Sequence, residues 1–153
     1  MNTKDPKKKA LLDDMKGGLI VSCQVQKDDP IYTEDIVVKM AQAAKWAGAV
    51  GIRANTPEQI RLIKAVVDLP VIGLYKIWHE DTDVFITPTL AAAQQVWEAG
   101  AEIIALDTTE QVNHEGRKAY ELFARVREAI PEAILFADVS NYAEAERAAA
   151  LGA

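Results

Sequence analysis

The chain alternates between short apolar runs and longer stretches with helical periodicity, and this alternation most constrains its fold. The apolar runs are 19–23, 50–53, 71–75, 103–106 and 134–137. They are continuously apolar rather than alternating, which is typical of strands buried on both faces of a parallel sheet. The sequence therefore predicts an α/β fold with five strands.

Helical patterns fill the intervals between the apolar runs. The segment 1–17 predicts an amphipathic helix that closes the bottom of the fold. The other predicted helices begin at Thr33, at Pro57 and after Thr87-Pro88, extend over 114–130, and begin again at Asn141. Ser, Thr, Asn and Asp favour the N-cap position, and Pro favours the first helical residue. The predicted order is one helix followed by five βα units.

A Gly-Ala step recurs at equal intervals, as Gly48-Ala49, Gly100-Ala101 and Gly152-Ala153. Glycine there is expected to end a helix in the left-handed conformation. A strand follows each of the first two steps and is expected after the third. Five βα units fit a complete flavodoxin-like sheet or a shortened (β/α)8 barrel. The last step favours the second: a partial TIM barrel, a single truncated domain over 1–153, with strands six to eight missing.

Composition limits the classes of partner. The net charge is −6, with 17 Lys and Arg against 23 Asp and Glu, which argues against nucleic acid and anionic membranes. No apolar run is long enough to span a bilayer. Cys23 is the single cysteine and cannot form an internal disulfide, so a reducing cytoplasm is expected.

Polar side chains follow the predicted strands, where parallel α/β folds place their chemistry. They are Ser22, Gln24, Arg53, Lys76, Asp107 and Asp138. Lys76 follows an apolar strand and can act as a general base or form a Schiff base, or it can extend to the rim as a solvated lysine. Arg53 can bind a carboxylate, phosphate or sugar oxygen, or pair with Asp107 or Asp138.

The remaining candidates have weaker signals. Asp138 can orient Lys76 or bind a sugar hydroxyl, and the alternative is a salt bridge to that lysine. Asp107 begins an Asp-Thr-Thr sequence that also suits an ordinary capping turn. Gln24 suits a hydroxyl or an amide. His79 and His114 have no metal-ligand spacing and are expected in surface loops, so no metal is predicted.

Several blocks of sequence resemble one family. They are GGLIVSCQ at 17–24, AGAVGIRA at 47–54, PVIGLYK at 70–76, GAEIIALD at 100–107 and ADVS at 137–140. Together they resemble the bacterial N-acetylmannosamine-6-phosphate 2-epimerases. The resemblance implies a cytoplasmic isomerase of sialic acid catabolism that interconverts N-acetylmannosamine 6-phosphate and N-acetylglucosamine 6-phosphate. It implies no cofactor, and a homodimer for the full-length protein.

The resemblance also implies roles for residues. Lys76 matches the family's base at the end of strand three, and Gln24, Arg53 and Asp138 match substrate-binding positions. Ser22 and Asp107 are included as substrate-binding candidates, although Asp-Thr-Thr replaces the family's commoner Asp-Gly-Thr. The family's second acid–base group, a glutamate, and its glycine-rich phosphate turns lie on strands seven and eight. A chain of these 153 residues alone is therefore expected to lack epimerase activity.

Two other functions remain open. One is another phosphosugar barrel, either an epimerase or an aldolase that uses Lys76 as a Schiff base. The other is a non-enzymatic, flavodoxin-like signalling domain. A receiver-like domain needs acids after strand one and a phospho-accepting Asp after strand three. This chain has 22–24 (SCQ) and Lys76 at those places.

Overall fold

A computed structural model describes residues 5–153. Helices and strands alternate along it as the sequence predicts. The elements are α1 Pro6–Met15, β1 Ile20–Cys23, α2 Ile36–Trp46, β2 Gly51–Asn55, α3 Pro57–Lys64, β3 Val71–Leu74, α4 Leu90–Glu98, β4 Ile103–Asp107, α5 Ala119–Ala129, β5 Ile134–Asp138 and α6 Tyr142–Ala150. The first four residues of the predicted helix 1–17 lie outside the described residues. The single domain over 1–153, with α1 closing the barrel bottom, stays a prediction.

The five strands form one parallel sheet in the order β1-β2-β3-β4-β5. A flavodoxin-like sheet has the strand order 2-1-3-4-5, in which the chain changes direction across the sheet and its helices cover both faces. Sequential order places each strand beside its predecessor, as in a (β/α)8 barrel. The structure therefore excludes the flavodoxin-like alternative and confirms the α/β partial barrel.

The two faces of the sheet carry different residues. On β3, Val71 packs in the larger apolar cluster beneath the helices, whereas Ile72 and Leu74 belong to a smaller cluster with Met15 of α1. Gly73 is required because a Cβ there would lie 2.6 Å from Ala101 Cβ. This alternation defines a helix-covered face and a concave face, which we call the inner face.

The prediction that the strands are buried on both faces is confirmed for the central strands β2, β3 and β4. It is wrong for the outer strands β1 and β5. Leu19 and Ile20 at β1 and Phe136 on β5 remain substantially exposed. The physical reason is position: the described chain places no neighbouring strand beyond β1 or β5 to cover these residues.

Two helix starts differ from prediction. Thr33 does not cap α2, because its hydroxyl donates to Asp35 Oδ1 and the helix begins at Ile36. The predicted helix over 114–130 begins only at Ala119, because Asn113 Oδ1 accepts two backbone N–H groups and forms a turn first. Thr56, Thr89 and Asn141 do cap α3, α4 and α6.

The Gly-Ala steps end helices as predicted. Gly48, Gly100 and Gly152 have φ values of 87°, 98° and 91°, in the left-handed region that glycine adopts without a Cβ clash. Within residues 5–153, no helix has the length and apolar character needed to span a membrane.

Candidate functional site

The six predicted site residues occupy the strand ends on the inner face. Ser22 pairs in register with Arg53, and Asp107 with Asp138. Lys76 lies two residues beyond Leu74, which belongs to the inner cluster. Because side chains alternate along a strand, these positions share one face. This brings predicted polar groups from all five strands to one end of the concave surface.

Arg53 and Asp138 form an ion pair across the inner face. Arg53 Nη2 lies 2.7 Å from Asp138 Oδ2, and the side chains are 20% and 27% exposed. Arg53 also stands 5.5 Å above the Phe136 ring. The Arg53–Asp138 pairing that the sequence left open is therefore present. Asp138 does not make the alternative salt bridge to Lys76.

The backbone of Lys76 is fixed, whereas its amine has no partner among the described residues. Its N–H donates to Asn55 Oδ1 at 2.9 Å, and the residue forms an isolated bridge with Ile86. The side chain is half-buried. No hydrogen bond or ion pair to Lys76 Nζ occurs in residues 5–153. The amine is thus not neutralised by a neighbouring carboxylate.

A cavity of about 600 Å³ opens beside Lys76, within the ordinary size range of small-molecule pockets. Asn55, Tyr32, Glu58 and Trp78 also line it. A second cavity of about 330 Å³ is lined by apolar residues, including Met15 and Ile103. We centre the candidate site on Lys76 at the first cavity, because an apolar cavity offers no group for proton transfer. Of the six predicted site residues, Lys76 alone lines that cavity.

Gln24 and Ser22 form a local pair. Gln24 Nε2 donates to Ser22 Oγ at 3.0 Å. Gln24 Oε1 is buried and has no partner within residues 5–153. A buried acceptor without a donor is costly, so this carbonyl is suited to accept a hydrogen bond from a ligand N–H or O–H.

Asp107 is buried and forms the turn that the sequence left open as an alternative. Its Oδ1 accepts from the Thr109 N–H at 3.0 Å and from the Thr109 hydroxyl at 2.7 Å. Burial raises the pKa of the Asp107 carboxyl, and the charges of Asp138 and Glu144 raise it further. The hydrogen bonds from Thr109 oppose this rise without cancelling it.

Asn55 is the site residue that sequence reasoning missed. It is 6% exposed and contacts Lys76 directly. A usable signal existed, since Asn55 lies two residues after Arg53 and so on the same face of β2. What the sequence could not show is that its side chain reaches the segment that follows β3.

His79 and His114 occupy loops, as expected, but they are half-buried and stack with ring centroids 3.8 Å apart. Within residues 5–153, no group of three or more His, Cys, Asp or Glu side chains could hold a metal ion. The arrangement at the strand ends is one amine, one paired guanidinium and one free amide oxygen, which can bind a polar molecule and move a proton.

A family model matches most of the chain. Residues 37–153 match the family model described as "Putative N-acetylmannosamine-6-phosphate epimerase". The chain belongs to this family. The match takes in four of the six site positions, from Arg53 to Asp138, while Ser22 and Gln24 precede it.

Curated relatives have the same name as the family model, except that they are called 2-epimerases. A "Putative N-acetylmannosamine-6-phosphate 2-epimerase" of Listeria welshimeri is 44% identical over 138 residues, covering 90% of this chain and 58% of the relative. One of Borrelia garinii subsp. bavariensis is 42% identical, covering 93% and 61%. The chain thus spans about three-fifths of the length of these epimerases.

Solved structures support the fold. The N-acetylmannosamine-6-phosphate 2-epimerase of Clostridium perfringens matches with a TM-score of 0.85 at 34% identity, covering 99% of this chain and 64% of that one. A mandelate oxidase matches with a TM-score of 0.62 at 18% identity, which shows a shared barrel fold alone. The epimerase family and the partial barrel are therefore mutually consistent.

Proposed function

We propose that this chain carries the proton-abstracting side of an N-acetylmannosamine-6-phosphate 2-epimerase site, with Lys76 as the base. The observation that carries the proposal is the amine of Lys76, which has no partner within residues 5–153 and belongs to a residue that lines a cavity of about 600 Å³. Membership of the epimerase family supports it. The parent activity would be that of an isomerase converting N-acetylmannosamine 6-phosphate to N-acetylglucosamine 6-phosphate.

The chemistry follows from the open-chain form of the sugar. The C1 aldehyde acidifies the proton on C2, and the neutral amine of Lys76 can accept that proton as a general base. Negative charge then develops on the C1 oxygen. A guanidinium oriented by a carboxylate is suited to stabilise it, so Arg53 would bind this oxygen while Asp138 keeps Arg53 in place.

The remaining polar groups would bind the substrate. Gln24 Oε1 is free to accept from a sugar hydroxyl or from the N–H of the N-acetyl group, and Ser22 holds the other end of that amide. Asp107, next to Asp138 in register, would contact a sugar hydroxyl. Return of the proton to the opposite face needs a second acid, and we assign that role to none of residues 5–153.

We propose the cellular setting from the same family relationship. The partner would be a small N-acyl amino sugar phosphate, and no metal or organic cofactor is required by a mechanism of proton transfer alone. A cytoplasmic location, a role in sialic acid catabolism and a homodimer of the full-length protein belong to the same proposal.

Hydrogen–deuterium exchange at C2 tests the proposed function. The purified protein is incubated with N-acetylmannosamine 6-phosphate in D2O, and loss of the C2 proton is followed by NMR. We expect exchange with the wild type and none with Lys76→Met. Lys39→Gln, a change of an exposed lysine on α2, should behave as the wild type. Exchange by Lys76→Met at the wild-type rate would refute the role of this lysine.

We expect the epimer itself not to accumulate with these 153 residues alone, because we assign the second acid to none of residues 5–153. Borohydride added with substrate separates this proposal from a Schiff-base aldolase. An epimerase base forms no imine, so we expect no covalent adduct on Lys76, whereas a stable mass increase there would favour the aldolase.

A further inference from the structure

Two side chains replace the regular strand hydrogen bonds where Lys76 leaves the sheet. Strand β3 ends at Leu74, and the next two residues lie beyond its ladder. Asn55 Oδ1 accepts the Lys76 N–H at 2.9 Å. Thr87 Oγ1 accepts the Tyr75 N–H at 3.1 Å, and the Thr87 N–H donates to the Tyr75 carbonyl at 2.9 Å. The backbone of 75–76 is therefore held from both sides.

Thr87 holds this position in a strained conformation. Its φ is 48°, in the left-handed region, where a β-branched residue is an outlier, and it is fully buried. Such strain persists only where the surroundings enforce it, and it clusters at functional sites. Here the enforcing contacts are the two hydrogen bonds to Tyr75, the residue before Lys76.

Asn55 is also buried, at 6% exposure, and its side chain crosses from β2 to the segment that follows β3. A lysine amine sits at the end of a flexible four-carbon stem, so the position of its Cα sets the volume that the amine can reach. Asn55 and Thr87 both fix the backbone that leads into that Cα, at the Lys76 N–H and at the N–H and carbonyl of Tyr75. Neither needs to touch the substrate to influence the reaction.

We infer that Asn55 and Thr87 are positioning residues that hold the backbone of Tyr75 and Lys76 so that the Lys76 amine faces its cavity. The catalytic part of this inference rests on the proposed function. The structural part does not, because the orientation of the amine can be measured without substrate.

Competitive labelling measures that orientation. Trace isotopic acetic anhydride acylates Lys76 and the exposed Lys39 in one tube, and peptide mass spectrometry gives the ratio. Thr87→Val keeps the shape of the side chain and removes the hydroxyl acceptor. We expect the Lys76 to Lys39 ratio to rise roughly threefold, because the loosened lysine gains solvent access. Thr87→Ser keeps the hydroxyl and should give the same Lys76 to Lys39 ratio as the wild type.

Two further variants keep the test decisive. Asn55→Leu removes the other contact and should raise the ratio in the same direction. Val126→Ala, a cavity-forming change at a buried position of α5, should lower stability and leave the ratio unchanged. An unchanged ratio in Thr87→Val and Asn55→Leu overturns the inference, as does an equal rise in Val126→Ala.

C2 exchange then separates positioning from binding. A misplacement of about 1 Å can cost up to ~100-fold in rate, so Thr87→Val should lower the maximal exchange rate about tenfold while half-saturation by the sugar phosphate stays unchanged. An unchanged maximal rate contradicts the catalytic part. If the labelling ratio moves but the wild type exchanges no deuterium, the positioning stands and the proposed epimerase chemistry fails.

Discussion

Arg53 and Asp138 meet at 2.7 Å, although β3 and β4 lie between their strands. Three interstrand spacings amount to about 14 Å in a flat sheet, so the contact requires a strongly curved one. The pair is thus a direct consequence of the barrel-like curvature. It also fixes the guanidinium over the inner face before any ligand arrives.

A double-mutant cycle on Arg53 and Asp138 should reveal this coupling. We expect Arg53→Leu and Asp138→Asn each to destabilise the fold, with a coupling free energy of about 1 kcal/mol, because the pair is partly shielded from water. Urea unfolding of the wild type, both single variants and the double variant measures it. The exposed pair Lys39–Asp35 provides the matched control and should show no measurable coupling. Equal coupling in the two pairs would contradict this prediction.

Glu144 connects the loops that follow β4 and β5. Its carboxylate accepts from the Glu110 N–H at 2.9 Å, the Ser140 N–H at 2.7 Å and the Ser140 hydroxyl at 2.8 Å. Burial disfavours the charge, but these bonds and one from Asn141 outweigh it and hold the pKa of Glu144 below its ordinary value of 4.5. The charged form therefore stabilises the fold above that pH.

Glu144→Gln should lower the free energy of unfolding by about 1–3 kcal/mol at pH 7, because buried N–H groups lose a charged acceptor. A lowered pKa gives stability that is present above pH 4.5 and lost as the pH falls through the folded value. The difference from the wild type should therefore shrink below pH 4.5. Glu146→Gln, an exposed change on the same helix, should have no effect. A difference that grows on acidification would refute the assignment.

Asp107 should respond to pH in the opposite direction. Burial raises the pKa of its carboxyl above the ordinary 3.8, so the folded state binds the proton more tightly than the unfolded chain. Its contribution to stability then falls as the pH rises from 3.8 through the folded value. Asp107→Asn keeps an oxygen for Thr109 and removes the buried charge. We expect the variant to be more stable than the wild type at pH 7, and the gain to disappear below pH 3.8.

The same unfolding series decides this prediction. Chemical denaturation at several pH values compares Asp107→Asn with the wild type. The result that contradicts it is a variant less stable at pH 7 than at pH 3, relative to the wild type. That result would mean that the charged carboxylate is stabilised by a contact stronger than its hydrogen bonds from Thr109.

The sequence was sufficient for the fold and for the face that carries the site. Apolar runs and Gly-Ala steps located the strands and helix ends. The position of Arg53, Lys76 and Asp138 at the ends of predicted parallel strands placed them at one end of the sheet. Their partners could not be predicted in the same way. Whether Asp138 pairs with Arg53 or with Lys76 depends on sheet curvature, which no local pattern encodes.

Local competition explains the other differences. Thr33 has the chemistry of a helix cap, yet its hydroxyl donates to Asp35 instead. In the sequence, Asn55 is an ordinary residue at a strand end. The structure shows that its side chain accepts the Lys76 N–H. Both side chains have more than one chemically reasonable hydrogen-bond partner. Which partner each one bonds depends on distances that are set only in the folded chain.

Two glycines are required for different reasons, which substitutions to alanine can separate. A Cβ at Gly73 would lie 2.6 Å from Ala101 Cβ, 2.7 Å from Val96 Cγ1 and 2.9 Å from Ile60 Cδ1. Gly48 has open space around it but a φ of 87°. The first position is limited by packing between β3 and its covering helices, the second by backbone conformation.

Gly73→Ala should lower the free energy of unfolding by about 1–3 kcal/mol, because the added methyl overpacks a buried contact. Adding Val96→Ala removes one of the clashing atoms and should restore part of that loss. Gly48→Ala should cost roughly 1 kcal/mol from left-handed strain, and Val96→Ala should not rescue it. Urea denaturation of these four variants and of Val96→Ala alone measures these effects. If Val96→Ala worsens Gly73→Ala by as much as it destabilises the wild type, helix packing does not limit this position.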